Sequence, residues 1–209
     1  MLPMKPLLTT VVLLVCTSSA LAGNWPQWRG PTGDGVSHET GLPVAWAEAA
    51  GIEWKCPLPE WGNSTPAVWD DAVFLTAHVD DEKLLLLRID KATGRLVWTR
   101  QVGTGRAPRR AQGMDQGTWR GRQFFHATQN LATPSPVTDG ELVVAHFGNG
   151  DLAAYDFDGV QLWKRNLADD YGQYTIWWGH ANSPVLFGDL VISACMQDAC
   201  ADLRPSPSP

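Results

Sequence analysis

Charge of either sign is scarce. Asp, Glu, Lys and Arg make up 18% of the 209 residues, with 16 basic against 22 acidic side chains and a formal net charge of −6. Nucleic-acid binders display a basic patch or stripe. The one basic cluster here is Arg106, Arg109, Arg110, Arg120 and Arg122, in 'TGRAPRRAQGMDQGTWRGRQ', and it lacks the interleaved aromatics of a base-stacking platform. A polar surface loop is expected there, and a nucleic-acid partner is not. Cysteine is sparse too. Cys195 and Cys200 stand in 'CMQDAC', wider than the C-x-x-C of a redox or zinc site. They are close enough to pair across a short loop, and Cys56 is expected to be buried among apolar neighbours. None of His38, His78, His126, His146 and His180 stands at H-x-H or H-x-x-x-H spacing, so no sequence-local zinc site is present. His78 and His146 are expected to be packed or loop-facing. No G-x-S-x-G elbow occurs. Neither 'HVDDEK' nor 'DDYGQYT' alternates its acids as a calcium loop does, and Asp80, Asp81 and Glu82 read as a solvated hairpin tip.

What is abundant is turn residues and indoles: 20 Gly, 15 Pro and 11 Trp. Fifteen prolines would break most long helices, whereas short strands between tight turns tolerate them. A hydrophobic content of 44% excludes a disordered chain. The only long apolar run lies at the start. Met1–Ala22, 'MLPMKPLLTTVVLLVCTSSALA', has a lysine at position 5, an apolar stretch over Leu7–Val15 and an A-x-A signal before Gly23. That is the pattern of a secretory signal peptide, too short in its apolar part for a convincing membrane span. Cys16 offers a lipoprotein alternative, although Val15 stands where a lipobox wants a small residue. The expected organisation is a leader over 1–22, a repeat domain over 23–198 and a Pro/Ser-rich tail over 199–209. The chain is expected to be exported to the periplasm or beyond, with outer-membrane attachment open and no transmembrane span in the mature part.

The mature part repeats itself. 'TPAVWDDAVFLTAH' at Pro66, 'SPVTDGELVVAHF' at Pro136 and 'SPVLFGDLVISAC' at Pro184 share a Ser or Thr before proline, a turn at Asp70-Asp71, Gly140-Glu141 or Gly188-Asp189, and then Val73, Val143 or Val191. A strand, a tight turn and an antiparallel β-branched return are expected in each. The first two blocks continue into 'LLLLRIDKATGRLVW' and 'DLAAYDFDGVQLW', where Gly94 and Gly159 fall four residues before Trp98 and Trp163. These glycines mark hairpin turns, and the tryptophans are expected to pack between neighbouring sheets. Four short antiparallel strands per unit make a propeller blade, which needs neighbours on both faces. The first interval exceeds the second by an insertion of about 20–25 residues, Gly103–Ala127, expected to be a rim loop or an edge cover. The third block lacks the glycine–tryptophan hairpin. Three partial blades do not close a ring, so a piece of a longer propeller is expected.

The opening 'NWPQWRGPTGDGVSHETGLPVAW', with 'IEWKCPLPEWGNSTPAVWDDAVFLT', 'LRIDKATGRLVW' and 'LAAYDFDGVQLW', resembles exported bacterial proteins built from pyrroloquinoline-quinone-like (PQQ-like) β-propeller repeats, over about Asn24–Asp198. The resemblance implies an all-β propeller of seven or eight four-stranded blades in full-length members about twice this length. It also implies one of three roles: a quinone-dependent alcohol or glucose dehydrogenase, an outer-membrane assembly scaffold, or a repeat protein of unassigned role. The dehydrogenases of the family carry adjacent disulfide-bonded cysteines over the quinone, calcium ligands of acid and amide type, and an aspartate base. No two cysteines are adjacent in this chain. The expectation is therefore a binding or scaffold module without a cofactor. PQQ and Ca²⁺ belong to the alternative, a periplasmic quinone-dependent oxidoreductase.

Two loops stand out as candidate sites. 'EWGNSTP' and 'YTIWWGHANSP' each place Trp-Gly and then Asn or His shortly before a strand-opening proline. In the family's ring such loops surround the central channel, so Trp61, Asn63, Trp178, His180 and Asn182 are expected to form a polar aromatic rim. Indoles, amides and an imidazole suit a planar or sugar-like ligand. The other explanation is that the tryptophans knit blades together while Asn63 and His180 hold their turns. Other envelope proteins are the alternative partners.

Overall fold

The computed structural model describes residues 23–47, 49–109, 125–176 and 178–196. Strands β1 (Ala67–Trp69), β2 (Ala72–Val79), β3 (Lys83–Asp90) and β4 (Leu96–Thr104) form an antiparallel sheet in sequential order. Strands β5 (Val137–Thr138), β6 (Leu142–His146), β7 (Asp151–Asp156) and β8 (Gln161–Asn166) repeat that arrangement, and β9 (Val185–Phe187) with β10 (Leu190–Ile192) makes a hairpin of the same hand-over. The innermost strands lie side by side, β1 against β5 and β5 against β9. Two blades and the inner half of a third thus follow one another as in a β-propeller. The one helix among the described residues, α1 (Leu167–Tyr171), was not expected. It forms because Asn166 caps it, its side-chain oxygen accepting from the N–H groups of Ala168 and Asp169.

The apolar alternation decides which way each sheet faces. Leu84 and Leu86 of β3 point into one core with Phe74, Trp98 and Val102, while Leu85 and Leu87 point into another on the opposite face with Ala77. In the second blade Val143, Ala145, Ala153 and Tyr155 complete the first of these cores, and Val144, Leu152 and Ala154 face the β9–β10 hairpin with Leu186 and Val191. A sheet buried on both faces needs apolar residues without alternation, which accounts for 'LLLL' in β3.

Hydrogen bonds repeat from blade to blade at both ends. At the inner end the Thr65 N–H donates to Ser135 Oγ (2.8 Å), and the Ser135 N–H donates to Ser183 Oγ (2.9 Å). The hydroxyls before Pro136 and Pro184 are therefore acceptors for the preceding blade. Replacing Ser135 by Ala leaves the half-buried Thr65 N–H without its partner, and a loss of about 1 kcal/mol is expected in urea unfolding. A midpoint unchanged from the parent chain would show that the relay carries no stability.

At the outer end the Trp98 indole N–H donates to the carbonyl of Phe157 (2.9 Å), in the turn between β7 and β8. Trp54, which lies in no strand, makes the same bond to the carbonyl of Lys91 (2.9 Å), in the turn between β3 and β4. Lys91 and Phe157 each follow the aspartate that opens the turn, Asp90 or Asp156. Both turn glycines have positive φ, +69° at Gly94 and +81° at Gly159. Space also demands glycine, because a Cβ on Gly94 would lie 2.4 Å from the Trp54 ring.

Several expectations need correction. The insertion begins later than Gly103, since β4 runs through Thr104, and its flanks are not surface loop. Ala107 and Phe125 are buried in the main core, and Phe125 lies where Gly148 and Gly179 leave room for its ring. The reason is packing: without those two side chains the core between the first two blades would be open at one end. Cys56 is half-exposed rather than buried, its thiol facing only the Pro57 carbonyl at 3.8 Å. The leader over 1–22, Arg110, Arg120, Arg122, Cys200 and the tail over 199–209 lie outside the described residues. The described Arg106 and Arg109 are exposed, and the Arg109 guanidinium donates to the carbonyls of His126 and Gln129.

Candidate functional site

The loops that enter β1, β5 and β9 follow the order of those strands, so the loop of the second blade lies between the two candidate loops. Trp61 has an exposed ring, and its carbonyl accepts from the His78 N–H (3.1 Å) and from Asn130 Nδ2 (3.1 Å). Asn63 is exposed, and its Nδ2 donates to the carbonyl of Thr128 (2.9 Å). Trp178 is exposed, with its ring 6.0 Å from the His126 imidazole. Gln129 Nε2 reaches the carbonyl of Gly179 (3.2 Å). Residues 126–130 thus touch both candidate loops. Sequence reading missed them, although 'HATQNLATPSP' has the same place before Pro136 as the other two loops have before their prolines.

His180 and Asn182 go elsewhere. His180 is fully buried, stacked on Tyr174 (centroids 4.3 Å apart) and edge-on to His146 (4.9 Å). His146 is also fully buried, with Nε2 3.2 Å from the Tyr174 hydroxyl and Nδ1 3.3 Å from both the Asn182 carbonyl and Ser193 Oγ. Asn182 Nδ2 donates to the Met196 sulfur (3.0 Å). The five residues therefore divide between a surface rim, Trp61, Asn63 and Trp178, and an internal cluster at the junction of the second blade with β9 and β10.

Burial sets the charge state of that cluster. Desolvation pushes His146 down to about 3, helped by the neighbouring His180, and His180 itself down to about 4. The same burial raises the Tyr174 hydroxyl above its ordinary value and raises the Cys195 thiol, against the pull of its hydrogen bond to Tyr174. At neutral pH all four groups are uncharged. A histidine held that far below 7 is a poor general base, so the Ser193–His146 approach does not make an activated nucleophile.

Among the described residues no group of three or more His, Cys, Asp or Glu is placed to hold a metal ion. The carboxylate richest in amide neighbours, Asp151, is already engaged by Asn149 Nδ2 (2.9 Å), Asn166 Nδ2 (3.3 Å) and Lys164 Nζ (3.3 Å). Cys56 and Cys195 are both free thiols in different parts of the fold.

A second feature was not foreseen. An open cleft of about 760 Å³ lies between the outer face of the second blade and β10, lined by Trp163, Arg165, Tyr171, Asp189, Val191 and Cys195 among others. No described helix is long and apolar enough to cross a membrane.

Consecutive four-stranded antiparallel blades, locked by pre-proline hydroxyls and interblade indoles, define a β-propeller repeat protein. Residues 36–205 match the PQQ-repeat family described as outer membrane protein assembly factor BamB, and the chain belongs to that family. No curated protein matches it. Among solved structures it is similar to the quinohemoprotein alcohol dehydrogenase from Comamonas testosteroni, at 18% identity and a TM-score of 0.54. That similarity covers 82% of this chain but 23% of the dehydrogenase, and it concerns the fold alone.

Proposed function

We propose that this chain is an exported protein-binding repeat module of the bacterial cell envelope and carries no catalysis of its own. The observation that carries the proposal is a contrast between polar and apolar groups. Asn63, Gln129, Asn130 and Arg109 around the candidate rim are committed to backbone carbonyls, and the histidines of the inner cluster are buried and neutral. Large apolar side chains also remain exposed, including Trp28, Leu42, Val44 and Trp46 of the segment before the first blade. Exposed apolar groups gathered on one segment suit a protein surface better than a polar small molecule. The family's description as an outer membrane assembly factor supports an envelope partner, and the leader-like Met1–Ala22 supports export. The WPQWRGP opening begins the same segment, with Trp28 and Arg29 exposed and Trp25, Pro26 and Gln27 half-buried.

The test uses the 209-residue chain expressed in a Gram-negative host. Recovery of protein beginning at Gly23 from the periplasm is expected, as is saturable binding to purified outer-membrane proteins that weakens at least about tenfold when Trp28 and Trp46 are both replaced by Ser. Titration of the same preparation with PQQ and Ca²⁺ is expected to give no dye reduction with alcohols. Turnover in that assay would replace the proposal with the quinone-dependent oxidoreductase.

A further inference from the structure

The residues that follow Gly23 are fixed by pairing to the two blades. Trp25 lies antiparallel to Val68 on the free edge of β1, and the two residues exchange backbone hydrogen bonds of 2.9 and 2.8 Å. The Thr138 N–H of β5 donates to the Pro26 carbonyl (2.9 Å), and the Asp70 N–H donates to the Asn24 side-chain oxygen (2.8 Å). The Trp25 ring then covers Gly30, where a Cβ would come within 2.8 Å of it. These contacts hold the backbone nitrogen of Gly23 in one place, and there it donates to Glu39 Oε1. The fit is close, since a Cβ on Gly23 would lie 3.0 Å from the same oxygen. Glu39 also differs from its surroundings. From residue 31 to residue 47 it alone is half-buried, and the others are exposed.

We infer that Glu39 is the receiver for the α-ammonium of Gly23, so that removal of the leader latches the exposed segment carrying Trp28 and Trp46 onto the first two blades. Hydrolysis of the Ala22–Gly23 amide by a leader peptidase consumes one water and leaves a carboxylate on Ala22 and an ammonium on Gly23. The nitrogen that faces Glu39 thereby changes from a neutral amide with one N–H into a cation with three. The hydrogen bond to the carboxylate is kept, and the attraction of opposite unit charges is added to it. No other cation takes that place from the nearby chain: Arg29 covers the Trp28 ring at 5.6 Å and donates to the Asp34 carbonyl (3.4 Å). The start of the segment is already held by Trp25 and Pro26 and by a turn in which the Gly33 and Gly35 N–H groups donate to the carbonyls of Gly30 and Arg29. The latch adds a hold on the later part, where Leu42, Val44 and Trp46 are exposed. Those side chains form part of the surface proposed above for an envelope partner. The inference therefore rests on that reading and assigns its regulation: the binding segment is set in place when the leader is removed.

The experiment compares three forms of the chain that begins at Gly23: one with a free amine, one acetylated at Gly23, and one with a free amine and Glu39→Gln. At pH 7 the Gly23 amine is expected to react with a succinimidyl ester at least about threefold more slowly in the parent than in Glu39→Gln, the size of an ion pair to a partly exposed carboxylate. A Glu-specific endoprotease is expected to cut after Glu39 at least about threefold faster in the acetylated chain than in the parent, because acetylation keeps the N–H and removes the charge. This second comparison involves no substitution and is free of any folding defect in the variant. Equal rates in either comparison would overturn the latch. Both rates are read on the isolated chain, so their failure leaves the envelope-binding proposal standing. Periplasmic protein that begins elsewhere than Gly23 would instead overturn the export reading, and the latch with it.

Discussion

Taking the chain from pH 7.5 to pH 5 will lower its unfolding free energy by about 4 kcal/mol, and the loss will begin near pH 6.5. The cause is the pair His146 and His180, held neutral by burial with values of about 3 and about 4 against an ordinary 6.5. Their folded values are depressed, so the unfolded chain takes up protons first as pH falls. Stability is then fully present above 6.5, declines by about 1.4 kcal/mol per pH unit for each histidine, and stops declining near the folded values. The groups facing the pair do not interfere in this window. Tyr174 and Cys195 are both shifted upward and stay protonated, and Ser193 and the Asn182 carbonyl carry no charge. Exposed Asp34 and Asp90, whose carboxyls are held below their ordinary value by hydrogen bonds from Val36 and Thr32 and from Thr93, lose their contribution only in more acid solution. Urea midpoints at half-unit intervals measure the slope, and His180→Phe should roughly halve it. Midpoints that do not change between pH 7 and 5 would refute the neutral-pair description.

The strands were legible because the repeat printed their boundaries three times. A pre-proline hydroxyl, a turn acid or glycine and a β-branched return locate β1–β2, β5–β6 and β9–β10, and the turn glycines locate β3–β4 and β7–β8. Which face of each strand meets which core was not legible, since 'LLLL' and 'LAAY' are apolar on both faces. Other features depended on contacts between residues far apart in sequence. Nothing local to Trp54 shows that it performs the task of Trp98 from outside any strand, and nothing local to Phe125 shows that it seals a core through the empty places of Gly148 and Gly179. The candidate rim was half legible for the same reason. Trp-Gly-Asn and Trp-Gly-His-x-Asn look alike as strings, yet one leaves Asn63 on the surface and the other sends His180 inward. Tyr174 supplies the stacking surface that draws the imidazole in, and its distance in sequence from His146 hides the cluster until the second blade meets β9 and β10.

The same observations separate what the fold needs from what it leaves over. Hydroxyls, amides and guanidinium groups near the strand entrances satisfy carbonyls and N–H groups of neighbouring blades, which is why so many polar side chains of a weakly charged protein have partners. A repeat stacked in this way gains stability chiefly at interfaces between units. Residues that resemble a binding site in the sequence are then drawn into those interfaces, and recognition is left to the segments that the stacking does not use.

That division makes equivalent tryptophans unequal. Trp98→Ala is expected to destabilise the chain by about 3–5 kcal/mol, the range for deleting a large aromatic from a packed core. Its ring is 9% exposed, lies 6.0 Å from Phe74, and is covered by Arg100, so truncation opens a cavity in the core shared by two blades. It also removes the donor to Phe157, leaving that carbonyl with Arg88 alone at 3.0 Å. Trp98→Phe keeps most of the apolar area and loses the indole N–H, so a smaller cost of about 1–2 kcal/mol is expected. Trp163→Ala changes the same residue type at the same place in the repeat, but its ring faces an open cleft on one side and its N–H has no acceptor among the described residues. About 1 kcal/mol is expected there, because one-sided packing forfeits fewer contacts. Urea unfolding of the three variants beside the parent chain at pH 7.5 measures the order. Equal losses at Trp98 and Trp163 would mean that the indoles stabilise their own blades, and that the bond across to the next turn contributes little.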